Sequence, residues 1–459
     1  MSVKLSKMMT AAAISLLFSL NSGAQQLGGA YFLDDFVYSY EMNPAMHDAK
    51  TTRVFVGFLL NDITIGAHTN VGLSTFLYPK PMDSNPDQKE LVLFMNEKVS
   101  YDEFVGKLPA NDIRVNPNIN LNLLSFGFKA GKNGFFSFDS RLKSRTKVTV
   151  STDILKEVKS GLEFKEGSEI NMKNLDMYTR EYIELAADYS HKVGNVRLGI
   201  AAKFLMGLAA ADASLKNIGV KIGDDQYFAT GDINAAVSTT MLGFPAGPTY
   251  DFNNIGFGKV GFSGFGGAVD LGVHYEAPFG LILSASVLDL GVMSWKNTIS
   301  GEASFNNTLI EEVKDADANY YANTLLHLDR SKEGVANMEM LPMTINAGIR
   351  YKMPFYKGLS IGVHGSYVTK LNAFDARVGL TLSPCRWFSI SGNYGITDYG
   401  AAFGAAMNLR PGPFTFFVGM DGFISKFTPQ GIPVNALNTV AKVGILVSVK
   451  TPNEKKNKK

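Results

Sequence analysis

Few residues in this sequence have the types and spacing that chemistry requires. Gly256-Phe257-Gly258-Lys259-Val260-Gly261 has the letters of a dinucleotide-binding turn. That turn works only where a strand feeds a helix, whose N-terminus receives the pyrophosphate. No such strand–helix junction surrounds it here, and more glycines follow, so it reads as a flexible Gly/Phe loop leading into a strand. The histidines His47, His68, His191, His274, His327 and His364 are scattered, and no two have metal-ligand spacing. Ser, His, Asp and Asn recur on polar strand faces, but no local signature joins a nucleophile to a base. The sequence therefore points to no enzyme, no metal and no cofactor.

Two stretches could instead bind or gate. Leu242–Gly267 carries Phe244, Pro245, Pro248, Phe252, Phe257, Phe262 and Phe265 among many glycines. Water penalises so apolar a loop, so it either packs into a larger body as structure or captures a ligand. Both readings remain open, with Phe244 and Phe257 as the candidate contacts. Asn43-Pro44-Ala45 lies ahead of the first expected strand. Pro44 fixes its own φ and biases Asn43 away from helix, so the triplet can hold a defined kink.

The elements that must position these residues are strands. In Ala268–Glu276, Val269, Leu271, Val273 and Tyr275 alternate with Ala268, Asp270, Gly272, His274 and Glu276. In Thr344–Lys352, Ile345, Ala347, Ile349 and Tyr351 alternate with Thr344, Asn346, Gly348, Arg350 and Lys352. The same period of two runs through Arg180–Ser190, Arg197–Phe204, Ser360–Ser366, Ala376–Leu382, Ser389–Thr397 and Ala441–Val449.

Turn parity decides between a soluble sandwich and a membrane barrel. The short turns Ala277–Gly280, Pro354–Gly358, Pro384–Arg386 and Pro411–Pro413 fall on one side. Met293–Leu341, Lys370–Ala373, Thr397–Gly400 and Ser425–Leu437 fall on the other. Trp387, Trp295, Tyr189, Tyr275 and Tyr351 sit at strand ends, where an interfacial belt belongs. These features predict an all-β fold, a transmembrane antiparallel β-barrel of about 14 strands with an N-terminal plug-like segment. Eleven strands are expected from about Met177 to Val449. Three more are expected near Gly72–Tyr78, Asn118–Lys129 and Gly134–Val148, with a bulge at Leu123–Leu124. Helical patterns over Thr152–Lys159 and Asn307–Asp329 read as loop helices on the barrel mouth.

The N-terminus supports export. Lys4 and Lys7 precede an apolar run, Thr10–Leu20, and Ser22-Gly23-Ala24 supplies small residues for cleavage, so residues 1–24 read as a signal peptide. Residues 25–52 follow as the plug-like segment, 53–449 as the barrel, and 450–459 as a basic periplasmic tail. Cys385 is the only cysteine, so no internal disulfide can form. A net charge of +2 gives no reason to expect a nucleic-acid partner.

Gly266-Gly267-Ala268-Val269-Asp270-Leu271-Gly272, then Tyr275, Ser286-Val287-Leu288-Asp289-Leu290-Gly291 and Trp295, resembles a Bacteroidota outer-membrane β-barrel family of unknown function. Asn43-Pro44-Ala45 with Arg53 and Gly57 resembles the start of that family and, more distantly, the long-chain fatty-acid transporter group. The chain's continuation beyond Val449 departs from the terminal aromatic of many outer-membrane barrels. The resemblance implies an N-terminal plug that helps gate the lumen, with Asn43, Pro44 and Ala45 in it, and a cell outer-membrane location among lipids. Two functions follow as expectations. One is admission of small hydrophobic molecules. The other is a structural or partner-binding barrel serving an envelope or protein-export complex.

Overall fold

The computed structural model describes residues 26–47, 52–110, 112–160, 169–222, 227–243, 254, 256–296, 298–310, 337–423, 426, 428–432, 434 and 436–450. The signal-peptide reading of residues 1–24 and all of the basic tail after Lys450 lie outside them. Fourteen antiparallel strands close into one barrel. They are β1 (Thr52–Thr69), β2 (Ile113–Ala130), β3 (Gly134–Val150), β4 (Glu169–Val193), β5 (Val196–Ile222), β6 (Gly264–Glu276) and β7 (Leu281–Trp295). The remainder are β8 (Thr344–Lys352), β9 (Leu359–Val368), β10 (Ala373–Cys385), β11 (Phe388–Thr397), β12 (Gly400–Leu409), β13 (Phe414–Asp421) and β14 (Leu437–Lys450). Each pairs with its sequence neighbour, and β14 returns to β1 to close the ring.

The two faces of the wall are inverted relative to a soluble protein. On β6, Val269, Leu271 and Val273 are exposed while Ala268 and Asp270 are buried. On β8, Ile345 and Ile349 are exposed while Asn346 and Arg350 are buried. The same holds for Ile361 and Val363 against His364 on β9, and for Val378 and Leu380 against Arg377 on β10. Alternation puts successive side chains on opposite faces, and closure leaves no unpaired sheet edge. An apolar exterior around a polar interior is the arrangement that hydrocarbon requires.

All the Pro-containing short turns fall on one rim, together with residues 131–133 and 194–195 and both ends of the wall, where Thr52 faces Lys450. The opposite rim carries the long connections. There the helix Thr152–Ser160 forms as expected, and its Leu155 packs against a rim cluster of Tyr78, Val92, Val99 and Phe104. The predicted bulge in β2 is present between Asn122 and Leu124.

Two expectations change. The segment near Gly72–Tyr78 is not a wall strand. It is a 3-10 turn, Leu73–Thr75, followed by the rim hairpin Leu77–Pro81 with Lys89–Leu93. Thr52–Thr69 takes its place in the wall. The expected helix Asn307–Asp329 begins instead as strand, because Thr298–Ile310 pairs with Tyr227–Thr239; residues 311–336 lie outside the described residues. These two outer strands continue the long upper halves of β4 and β5 into a four-stranded canopy above that rim.

Candidate functional site

The site begins with the segment Gln26–His47, which runs through the lumen as three short 3-10 turns. No regular ladder can hold so irregular a backbone, so side chains on the wall hold it. Gly29 N donates to Asp421 Oδ2 at 3.0 Å, and Thr381 Oγ1 donates to the Phe32 carbonyl at 2.5 Å. Arg350 pairs with Asp34 at 2.6 Å. Burial opposes ionisation of Asp34, but Arg350 and Lys352 hold its carboxyl below the usual carboxylate range. Apolar packing does the rest. Leu27, Phe32, Phe36, Tyr38, Tyr40 and Met42 form one buried cluster with Phe55, Phe135, Phe417 and Leu446 of the wall. His47 stacks between Tyr40 and Phe135 at 4.2 and 4.4 Å. Burial, with Arg197 and Arg141 nearby, pushes its imidazole well below the ordinary range. Neutral, it shares a hydrogen bond with Ser137 Oγ at 2.9 Å.

Asn43, Pro44 and Ala45 are brought together at the far end of this segment. Asn43 caps the third turn by accepting from Ala45 N at 2.8 Å. Its Nδ2 donates to the carbonyls of Val273 and Ala285, each at 3.0 Å. The preceding carbonyl, Met42 O, accepts from Ser286 Oγ at 2.6 Å and Asn346 Nδ2 at 3.0 Å. Such close approach needs wall positions without side chains. A Cβ on Gly199 would overlap Pro44, and one on Gly272 would overlap Asn43 Oδ1. Gly272 belongs to the strand motif singled out in the sequence.

The two aspartates of that motif explain its other half. Val269 faces Leu290 and Leu271 faces Val287, so β7 carries one extra residue there. Asp289, with φ 59°, sits in this bulge and turns inward. Asp289 and Asp270 converge on Lys203 Nζ at 2.6 and 2.7 Å, and Asp270 Oδ1 accepts from Asp289 N at 2.7 Å. Arg145 adds a contact to Asp289 at 2.5 Å. Lys143 and Arg141 continue through Glu184 at 2.6 and 3.4 Å, and Lys442 joins Glu41 and Asp62 at 2.6 and 2.7 Å. Buried pairs of this kind add little net stability but are costly to break singly. They lay a belt of fixed charge across the axis, which no apolar molecule can cross without desolvating it.

The largest irregularity of the wall is in β1. Val56 faces Val447 and Asp62 faces Gly444, so β1 spans six residues against three on β14. Against β2 a smaller excess, four residues against two, appears between Phe58 and Asp62. Leu59 and Leu60 adopt φ of 47° and 56°, a left-handed conformation unusual for bulky residues. Phe58 and Leu59 point outward and are 68% and 69% exposed. Inside, Asn61 meets the plug at Tyr38, and its Nδ2 donates to Ser125 Oγ at 2.6 Å.

Of the other sequence candidates, Phe244 lies outside the described residues. Phe257 is fully exposed at the canopy end, where Gly256–Phe257 pairs with Leu242–Gly243. It is therefore apart from Asn43, Pro44 and Ala45. Among the described residues no group of His, Cys, Asp and Glu could hold a metal ion. Sequence reasoning missed the charge belt and the β1 break. The belt left only one trace, the alternating charges of Arg141, Lys143 and Arg145 on β3.

Residues 44–421 match a family described as a family of unknown function (DUF5723), and the chain belongs to that family. Comparison with curated proteins gives no match. Among solved structures the chain is similar to the Ralstonia pickettii toluene transporter TbuX, with 8% identity, 94% of this chain and 99% of that chain covered, and a TM-score of 0.44. It is also similar to the P. putida toluene transporter TodX, with 7% identity, 89% and 92% covered and a TM-score of 0.42. A Pseudomonas aeruginosa FadL homologue shows 11% identity, 92% and 95% covered and a TM-score of 0.41.

Proposed function

We propose that this member of the DUF5723 family is an outer-membrane barrel that admits small hydrophobic molecules, and that they pass through the wall at the β1 break rather than along the axis. The observation that carries this is the coincidence of three features at Gly57–Asn61. The ladder to β14 is interrupted, exposed Phe58 and Leu59 project from the wall, and on the inner side Asn61 meets Tyr38 of the plug's aromatic cluster. An apolar solute at this point exchanges the plug's aromatic surface for hydrocarbon and skirts the edge of the charge belt at Asp62 and Lys442 instead of crossing its full width. Burial of apolar area favours both ends of that route at about 25 cal/mol per Å². Asn43, Pro44 and Ala45 act as the fixed anchor about which the rest of the plug shifts. Phe244 and Phe257 serve as an outer apolar landing surface.

Deleting Leu59 and Leu60 tests this reading. The deletion removes both left-handed residues and restores continuous pairing with β2. Uptake of an apolar fluorescent probe into proteoliposomes should fall to the level of empty vesicles while heat-modifiable migration persists. Unchanged uptake by a well-assembled variant would overturn the route through the β1 break, and wild-type uptake no faster than that of empty vesicles would replace transport with a structural or partner-binding role.

A further inference from the structure

The canopy borders a second place for a ligand, open to solvent, remote from the plug and different in chemistry. A cavity of about 920 Å³ lies against its inner face. Its lining comes from registered strands. Thr149 faces Asp176, Asp176 faces Ser214, Ser214 faces Asn234, and Asn234 faces Glu302. One row of side chains thus crosses five strands, spaced by the strand separation of about 4.8 Å. The row above it repeats the pattern, with Lys216 facing Asp232 and Asp232 facing Ser304. The floor is Tyr178, with the Arg180 guanidinium 4.2 Å from its ring centroid. Arg180 is in turn held by Asp212 at 2.8 Å and by Glu339.

The composition of these rows selects the ligand. Hydroxyls, a carboxamide, carboxylates and an ammonium alternate, so every position offers a donor, an acceptor or both. An apolar molecule would displace the water on these exposed groups without replacing its hydrogen bonds. Asp176, Asp232 and Glu302 disfavour an anion, and Lys147 and Lys216 weaken the case for a simple cation. A chain of hydroxyl groups satisfies all of them. We infer that this basin binds a hydroxyl-rich ligand, a short neutral saccharide segment laid across the Thr149–Glu302 row, either free or at the end of a cell-surface glycan. The volume lies within the range of about 300–1,000 Å³ usual for small-ligand sites. The sheet backbone holds the row rigid before the ligand arrives.

Calorimetric titration of the full-length protein in nanodiscs tests this. The probes are maltotriose, mannotriose and chitotriose, with spermidine as the cationic comparison. At least one trisaccharide should bind saturably, and Asn234→Ala and Glu302→Gln should each weaken it about tenfold, the loss of roughly one hydrogen bond. Circular dichroism and heat-modifiable migration establish that both variants are assembled. Competition by full-length but not sugar-truncated lipopolysaccharide assigns the ligand to a surface glycan. Absence of such competition assigns it to a free sugar. Binding of spermidine alone, no binding of any trisaccharide, or trisaccharide binding indifferent to both substitutions would overturn the inference.

Discussion

Tyr38 of the plug and Asn61 of the wall hydrogen-bond to each other twice. The Tyr38 hydroxyl donates to the Asn61 carbonyl at 3.1 Å, and Asn61 Nδ2 donates back to that hydroxyl at 2.8 Å. The pair stands where β1 leaves its partners, so the plug supplies the hydrogen bonds that β14 does not.

Tyr38→Phe removes both bonds while keeping the ring. The Asn61 carbonyl then loses its partner at a buried position, a cost of about 1–3 kcal/mol. The carboxamide keeps Ser125, so the wall should still assemble. The expected result is a lower melting temperature by near-UV circular dichroism together with faster apolar-probe flux. Slower flux would mean that Tyr38 is part of the path rather than its stopper.

Gly272→Val addresses the other end of the plug. Its Cβ would overlap Asn43 Oδ1, so the substituted wall and the seated triplet cannot coexist unchanged. Planar-bilayer recordings should show leak currents absent from the wild type. Asn43→Ala, which removes the side-chain donor to two wall carbonyls without adding bulk, should loosen the plug less. A silent Gly272→Val barrel would show that Asn43-Pro44-Ala45 does not limit permeation.

How much of this was legible depends on how regular each strand is. β6 and β8 through β11 alternate without interruption, and their faces are those the sequence predicts. β1 hides because Phe58-Leu59-Leu60 places three apolar residues in succession, which a bulge permits and a plain alternation pattern does not. The upper half of β5 hides for a different reason. Ala209, Ala210, Ala211 and Ala213 give neither face a hydrophobic signature, and charged residues after Asn307 imitate a helix stripe. The belt was beyond reach because its partners are far apart in sequence; Lys442 meets Glu41, and Lys203 meets Asp289. Asn43-Pro44-Ala45 was singled out by family resemblance, whereas the glycine seats at Gly199 and Gly272 that receive it required the structure.

The lipid face and the belt can be separated at neighbouring positions. Leu271 is 46% exposed on the outer face. Leu271→Arg should impair insertion by about 2–4 kcal/mol near the midplane. Asp270→Asn keeps an oxygen for Asp289 N and leaves Lys203 its contact to Asp289, so it should assemble and melt only slightly lower. Folding yields into lipid vesicles measure both. Equal yields would mean that Leu271 does not face hydrocarbon.

Orientation follows from the rims. The strands β6–β7, β8–β9, β10–β11 and β12–β13 are joined by short turns at one end, and the wall's own termini, Thr52 and Lys450, meet at that end. The opposite end carries the rim hairpin, the helix Thr152–Ser160 and the canopy. Bacterial barrels place short turns toward the periplasm and long loops outside. An epitope inserted between Asp83 and Asp87 of the rim hairpin should therefore label on intact cells. One inserted between Pro354 and Gly358 should label only after the outer membrane is permeabilised. The saccharide basin would then face the medium and the plug's short-turn end the periplasm, the order that uptake requires. Labelling of the second epitope alone on intact cells would reverse the barrel and, with it, the direction of transport.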